Sequence, residues 1–376
     1  MEYGIYIHIP FCSQKCYYCD FPSYAGMMRY QDAYVKALCR EIRHSAFLHQ
    51  AADTIYVGGG TPNTLPAEKI TDILHTVAAS FAIKDKAEIT VEANPAFGER
   101  TWYEQVKSAG VNRMSFGVQS FWDEELRNIG RLHTGEEAIH SVEEAFSCGI
   151  ENISIDLIYG LPGQTLEKLS HTIETAMQLP ITHISVYGLK VEDGTVFAQW
   201  QRQGRLNLPA EEVCDAMYDM LCDRLAEHGF YQYEISNFAK KGRESKHNTK
   251  YWEYVPYLGF GSGAHSFSGK ERWENVSAIS DYIQQIEEKA SAEAERILIA
   301  DTRAREDFCF LGLRRTAGIS KKEFFLRFGI PFDEIFGETA VRLTSKGLLW
   351  QEKDRVGLTG LGIRYGNYVF SQFILD

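Results

Sequence analysis

The sequence lacks the features that mark a membrane protein, a secreted protein or a nucleic-acid surface. No apolar run reaches the roughly 18 residues of a membrane-spanning helix. The start of the chain has neither a basic segment nor a long apolar one, so we expect no secretory signal and a cytoplasmic location. Positive charge is in deficit, with 39 Lys and Arg against 51 Asp and Glu, and this argues against broad nucleic-acid binding.

Disulfide-rich composition is also absent, because 376 residues contain only eight cysteines. The chain is 44% hydrophobic and 24% charged, which excludes a disordered or collagen-like protein. Its length predicts roughly two domains, each able to bury a core without disulfides.

Short strand-like runs recur along the first half of the chain, separated by stretches of helical length. Such alternation predicts parallel βα units, and six of them predict an α/β fold with a partial TIM-like (β/α)6 barrel. In barrels of this kind the chemistry lies where the strands end. The predicted strands are Gly4–Ile9, Thr54–Gly58, Glu88–Glu92, Arg113–Val118, Asn152–Ile158 and His183–Gly188.

The pattern changes after Gly188. A helix is predicted over Pro209–Glu227, then an aromatic-rich irregular stretch, and then a charged helical connector over Ser280–Ile299. We therefore place the barrel and its extension in residues 1–300. Residues 301–376 predict two helices and a hairpin, the outline of a small winged-helix-like domain, and their 12 basic against 10 acidic residues are no basic footprint for DNA.

Three cysteines lie within eight residues directly after the first predicted strand, at Cys12, Cys16 and Cys19. Three thiolates can hold three irons of a [4Fe–4S] cluster and leave the fourth iron open. The spacing alone leaves two alternatives open, namely free cysteines and a zinc ion with His8 as the fourth ligand.

A glycine run, Gly58-Gly59-Gly60-Thr61-Pro62, follows the second predicted strand, and Glu92-Ala-Asn-Pro95 follows the third. Glycines allow a ligand to approach the backbone closely. Taken together with the cysteines, these motifs resemble the radical S-adenosylmethionine (SAM) superfamily. In that superfamily a cluster-bound SAM supplies the chemistry and the protein orients it.

The resemblance extends over nearly the whole chain to the oxygen-independent coproporphyrinogen III oxidase group. It rests on the motifs above together with Phe116-Gly-Val-Gln-Ser120 and Asp156-Leu-Ile-Tyr-Gly-Leu-Pro162. It implies a [4Fe–4S] cluster on the three cysteines and SAM as cofactor. The residues that match the group's positions around SAM are Tyr6, Gly59 and Glu92 for a first molecule, and Gly60, Thr61, Gln119, Arg131, Asp156 and Lys190 for a second, with Tyr18 and His265 at the same pocket.

Three features favour the HemW haem-chaperone branch of that group. The oxidase has one more cysteine where this chain has Phe21, and it has a longer segment before the first strand. The sequence His247-Asn-Thr-Lys-Tyr251-Trp252 matches the H-N-x-x-Y-W motif of the branch. A neutral imidazole is a good axial haem ligand, so we expect His247 to bind haem. Its aromatic neighbours are expected to cover the porphyrin face; they are Tyr251, Trp252, Tyr254, Tyr257 and Phe260.

The resemblance therefore implies a haem chaperone that delivers haem to apoproteins and carries a cluster, SAM and haem. Nucleic acid is not an expected partner. Peripheral membrane contact stays open, although no lipid anchor or strongly basic amphipathic helix is visible. Two enzymatic alternatives also remain, namely decarboxylation of coproporphyrinogen III and another radical SAM reaction on a porphyrin. The first is disfavoured by Phe21 and by the H-N-x-x-Y-W motif.

Overall fold

Parallel strands joined by helices form the first half of the chain, as the repeated strand pattern predicts. The computed structural model describes residues 2–375. The long strands pair in parallel in the order β1-β4-β5-β6-β7-β8 and form a partial TIM-like (β/α)6 barrel. The first elements are β1 (Tyr3–Ile9), β2 (Phe11–Cys12), β3 (Tyr24–Ala25), α1 (Gln31–Arg43), β4 (Ala51–Gly59), α2 (Ala67–Ser80), β5 (Ala82–Ala93), α3 (Arg100–Ser108), β6 (Arg113–Gln119), α4 (Asp123–Asn128), α5 (Gly135–Ser147), β7 (Asn152–Tyr159), α6 (Leu166–Met177) and β8 (His183–Gly188).

Side chains alternate between the two faces of each barrel strand. In β1, the isoleucines at positions 5, 7 and 9 are fully buried in the main hydrophobic core with apolar residues of α1. Because side chains alternate along a strand, Tyr6 and His8 point to the other face, which is the inside of the barrel. The register places Tyr6 beside Tyr56 and His8 beside Gly58. Polar side chains from several strands therefore meet inside the barrel.

The middle of the chain extends the sheet on both sides. β11 pairs in parallel with β1, and β12, β13 and β14 follow in antiparallel order; β10 and β9 follow β8. The predicted helical connector Ser280–Ile299 is wrong in its second half, because the helix ends at Lys289 and residues 293–298 form an edge strand. These elements are α7 (Val196–Arg202), α8 (Glu211–Glu227), β9 (Tyr231–Glu234), β10 (Asn237–Ala239), α9 (Lys246–Trp252), β11 (Tyr257–Phe260), β12 (His265–Phe267), β13 (Glu271–Asn275), α10 (Ile279–Lys289) and β14 (Glu293–Leu298).

The C-terminal part has a second hydrophobic core, built mainly from residues after 307 with Tyr254 and Phe267 packed onto it. Ser320 begins α12 by accepting a hydrogen bond from the Glu323 main-chain N–H. Two helices and a small antiparallel sheet give the winged-helix-like outline, and we propose the domain boundary at residue 300. The elements are α11 (Asp301–Gly312), β15 (Ile319–Ser320), α12 (Lys321–Phe328), α13 (Phe332–Ser345), β16 (Leu349–Glu352), β17 (Arg355–Leu358), α14 (Gly360–Arg364) and α15 (Gly366–Ser371). Within residues 2–375, no helix combines the length and apolar character needed to cross a membrane.

Candidate cofactor site

A cavity of about 580 Å³ opens at the C-terminal ends of the barrel strands, within the usual size range of ligand sites. Residues from β1, β4, β5, β6, β7, β8 and α9 line it, so its wall is assembled from distant parts of the chain. All the predicted cofactor residues except His265 line this one cavity; they are Tyr6, Tyr18, Gly59, Gly60, Thr61, Glu92, Gln119, Arg131, Asp156, Lys190 and His247.

The three cysteines of the motif lie on the loop between β1 and α1, next to this cavity. All three are free thiols, with Cys12 buried and the other two half-buried. Cys12 Sγ lies 3.5 Å from Thr61 Oγ1, and Cys16 Sγ lies 3.5 Å from Arg131 Nη1. The guanidinium of Arg131 can therefore stabilise a thiolate at this edge of the cavity.

Within the described residues, no group of three or more His, Cys, Asp or Glu side chains is close enough to hold one ion. Both ring nitrogens of His8 already have partners, since its Nε2 lies 2.9 Å from the Pro22 carbonyl and its Nδ1 lies 3.0 Å from the Tyr6 hydroxyl. A Cβ on Gly60 would lie 2.7 Å from the Phe11 carbonyl oxygen and 3.1 Å from Cys12 Sγ, so the glycine allows the backbone to pack closely beside Cys12.

Glu92 is the central carboxylate of the cavity wall. The Tyr56 hydroxyl donates to its Oε1 at 2.7 Å, and the Gly59 main-chain N–H donates to its Oε2 at 3.1 Å. The pKa of Glu92 is raised from 4.5 to about 7, mainly by burial and in part by the charge of Asp156, while the two hydrogen bonds and the charge of Arg113 oppose the shift. Each oxygen retains a lone pair for a ligand.

A second group of polar residues lies deeper between β6 and β7. Arg131 donates to the Gly117 carbonyl, while its Nε has no hydrogen-bond partner among the described residues. Burial raises the pKa of Asp156, and hydrogen bonds from Ser185 and Ser115 oppose this effect. Gln119 has a φ of 70°, a left-handed conformation that is costly for a residue with a side chain.

The mouth of the cavity is formed by more exposed residues. The Lys190 side chain is 79% exposed and pairs with Glu192 at 2.6 Å. Phe21, which stands where the oxidase group has its extra cysteine, is 63% exposed and lines the mouth. Tyr18 is half-buried against Phe197 of a small apolar cluster.

His265 lies outside this cavity, in contrast to its predicted place there. Its ring lies 3.3 Å from the Glu274 carboxylate and lines a separate depression together with Pro22 and Asp281. The reason is that β12 pairs with β11 and β13 and is separated from β1 by β11.

The aromatic stretch around His247 is packed into the protein rather than presented as an open porphyrin surface. His247 is 1% exposed, its Nδ1 lies 2.9 Å from Thr54 Oγ1, and its Nε2 lies 2.8 Å from the Tyr251 hydroxyl. Burial lowers the pKa of His247 to about 3, with Lys250 contributing, so the ring is neutral. Tyr254 and Phe260 are buried as well, because Phe260 belongs to the main hydrophobic core and Tyr254 to the second one.

Two residues that the sequence reasoning did not assign to the cavity, His8 and Tyr56, support it from inside the barrel. Both lie at alternate positions of strands whose other face is apolar. Gly4, Tyr6 and His8 in β1 alternate with buried isoleucines, and this period of two was the signal that could have found them.

Comparison with known proteins assigns a class to this fold and cavity. Residues 6–176 match the model of the radical SAM superfamily, and residues 300–365 match the HemN C-terminal domain. In structure, the chain is similar to coproporphyrinogen III oxidase (HemN) from Escherichia coli, with a TM-score of 0.86 and 23% identity over 99% of this chain and 90% of that one. The protein is therefore a radical SAM protein in fold and in domain content.

Curated relatives identify the branch. The chain is 43% identical to the heme chaperone HemW of Bacillus subtilis over 98% of both chains. It is 38% identical to the heme chaperone HemW of Lactococcus lactis over 99% of this chain and 97% of that protein. The chain belongs to the HemW family.

Proposed function

We propose that this protein binds haem and delivers it to apoproteins, and that it carries a [4Fe–4S] cluster on Cys12, Cys16 and Cys19 with SAM in the strand-end cavity. The observation that carries the proposal is the similarity over 98% of the chain to a protein named heme chaperone HemW. The three free thiols next to the cavity support the cluster.

The charges of the cavity wall favour a cationic ligand. Four acidic side chains, Asp20, Glu92, Asp156 and Glu192, line the cavity against two basic ones, Arg131 and Lys190. SAM carries two positive groups, a sulfonium and an amino group, and one carboxylate. The carboxylates of this wall can therefore pair with the positive groups of SAM.

A cluster held by Cys12, Cys16 and Cys19 would, when reduced, supply an electron for cleavage of the SAM sulfonium. The residues of this chain bind and orient. Glu92 accepts hydrogen bonds from the ligand, the Gly59 main-chain N–H holds one of its oxygens, and Arg131 neutralises thiolate charge. The half-buried Tyr18 and the apolar cluster behind it restrict water on one side of the loop.

His247 remains the proposed axial haem ligand, and the structure defines what this role requires. The ring is neutral, as ligation needs, but both of its nitrogens are engaged by hydroxyl groups. Iron must therefore displace the Tyr251 hydroxyl from Nε2, and α9 must move enough to admit the porphyrin.

The test compares haem binding with turnover on the same reconstituted protein. We expect a Soret band after mixing with haem, a His247→Ala variant with an altered haem spectrum and intact iron–sulfur absorption, and no conversion of coproporphyrinogen III. An unchanged haem spectrum in His247→Ala would move the ligand to another residue. Measurable conversion of coproporphyrinogen III would instead establish the oxidase reaction.

A further inference from the structure

We infer that His247 and Tyr56 are positioning residues that hold Glu92 in place and thereby set the affinity of the cavity for SAM. The inference rests on the SAM site proposed above and adds to it two residues that the family resemblance did not assign to SAM. It gives the H-N-x-x-Y-W motif a role on the SAM side of the cavity, in addition to the proposed role in binding haem.

The first step is the immobilisation of His247. Its two ring nitrogens are held by Thr54 and Tyr251, as described above. The main-chain N–H groups of Lys246 and His247 donate to the two carboxylate oxygens of Glu88 at 3.2 and 3.1 Å. The start of α9 is thus tied to β5, and the imidazole has one orientation.

The second step is the contact between His247 and Tyr56. The two rings are stacked at a centroid distance of 5.2 Å and an interplanar angle of 28°. Tyr6 packs against Tyr56 at 6.3 Å and 25°. Since a buried ring held between two neighbours cannot rotate freely, the Tyr56 hydroxyl has a fixed direction.

The third step links Tyr56 to Glu92. The Tyr56 hydroxyl donates to Oε1, and Gly59 fixes the other oxygen. A Cβ on Gly58 would lie 2.9 Å from both Glu92 and Tyr56, so the glycine allows these two side chains to converge. The remaining lone pairs of the carboxylate keep a constant direction, which lowers the ordering cost when a ligand binds.

Deleting single hydroxyl groups tests this support with little change in volume. Tyr56→Phe removes the donor to Glu92, and we expect about tenfold weaker SAM binding to the cluster-loaded protein, the effect of losing one hydrogen bond to a charged group. Thr54→Val removes a hydrogen-bond partner of His247, which is one contact further from Glu92 than Tyr56 is, and we expect about threefold weaker SAM binding. SAM affinity is measured by equilibrium dialysis, and iron content is measured in parallel.

A chemically matched control lies outside the cavity. The Tyr282 hydroxyl donates to Glu41 at 2.6 Å, and burial raises the pKa of Glu41 to about 7, as it does for Glu92. Tyr282→Phe deletes the same group from the same kind of buried pair. We expect this variant to bind SAM with the affinity of the parent protein.

The pH profile separates positioning from a general loss of structure. The groups facing Glu92 are Tyr6 on β1, Tyr56 on β4, Arg113 on β6, Asp156 on β7, Tyr187 on β8 and Tyr251 on α9. The Tyr56 hydroxyl favours the charged carboxylate, so its removal raises the pKa of Glu92. The midpoint of pH-dependent SAM binding should therefore move upward in Tyr56→Phe and stay unchanged in Tyr282→Phe.

The outcomes distinguish this inference from the proposed function. Weaker SAM binding in Tyr56→Phe and Thr54→Val, with a shifted pH midpoint and normal iron content, supports the inference. If the parent protein binds SAM and the Tyr56→Phe variant binds it equally well, the inference is overturned and the proposed function is not. A cluster-loaded parent that binds no SAM overturns the proposed SAM site and the inference with it.

Discussion

Replacing Gly59 by Ala should damage the site through His8 rather than by filling the cavity. Gly59 has a φ of 114°, and a Cβ there would lie 2.5 Å from two atoms of the His8 ring. His8 has no room to move, because it is 3% exposed and held by Tyr6 and Pro22.

The magnitude follows from two separate costs. Backbone strain at such a φ costs about 1–3 kcal/mol. Forcing a methyl group into a packed site costs about 1–3 kcal/mol more. The expected loss of about 2–6 kcal/mol is a large part of the stability of about 5–15 kcal/mol that is typical of folded proteins.

Gly163→Ala is the matched control. Gly163 has a φ of 71°, and a Cβ there meets no described atom within 4 Å, so only the backbone strain of about 1–2 kcal/mol applies. The assay is the urea midpoint of the cluster-free protein, followed by iron content after reconstitution. We expect Gly59→Ala to lose more stability and also iron, since displacing His8 releases Pro22 at the end of the cysteine loop. Equal losses in the two variants, within about 0.5 kcal/mol, would refute the reasoning.

Three further predictions concern the cluster, the core and the domain interface. We expect less iron bound per chain after anaerobic reconstitution in each of the variants Cys12→Ser, Cys16→Ser and Cys19→Ser. The control Cys309→Ser alters a buried thiol of the second core and should leave the iron content unchanged. Equal iron in all four variants would contradict the assignment of the cluster to Cys12, Cys16 and Cys19. Burial raises the pKa of Glu41 from 4.5 to about 7, so between these pH values the folded chain binds more protons than the unfolded chain, and stability falls as pH rises. Glu41→Gln should reduce that fall by about 3 kcal/mol. An unchanged slope of unfolding free energy against pH would contradict this. Glu234 is fully buried and pairs with Arg314 at 3.2 Å, so Glu234→Ala should lower the free energy of unfolding by about 3–5 kcal/mol and expose the C-terminal part to protease. The control Glu253→Ala breaks a more exposed pair with Arg315 and should cost at most about 1 kcal/mol. Similar losses of stability in the two variants would show that burial of the pair is unimportant.

The barrel strands could be predicted from sequence because each is a short, apolar or alternating run with its own turn signals. The edge strand β14 could not be predicted in this way. All six of its residues are exposed, so its sequence has no apolar period, and it is a strand because β13 supplies its hydrogen bonds. The helix before it ends where Ala290 adopts a left-handed conformation, which the sequence does not announce.

The cavity residues could be predicted where they belong to continuous motifs at strand ends. The supports behind them could not, because their contacts join distant parts of the chain. The hydrogen bond between Tyr56 and Glu92 joins the neighbouring strands β4 and β5, and the hydrogen bond between His247 and Thr54 joins residues nearly 200 positions apart in the chain. The register between strands decides such contacts, and a single sequence does not specify it.

His247 has a consequence for the order in which ligands can bind. The same imidazole that stacks on Tyr56 would have to leave its hydroxyl partners in order to ligate iron. Haem bound in the proposed way would thus loosen Glu92 and weaken the hold on SAM. Thermodynamic linkage is reciprocal, so bound SAM would weaken haem binding by the same factor. Through the His247 ring, haem and SAM would then weaken each other's binding, and SAM binding would favour the release of haem.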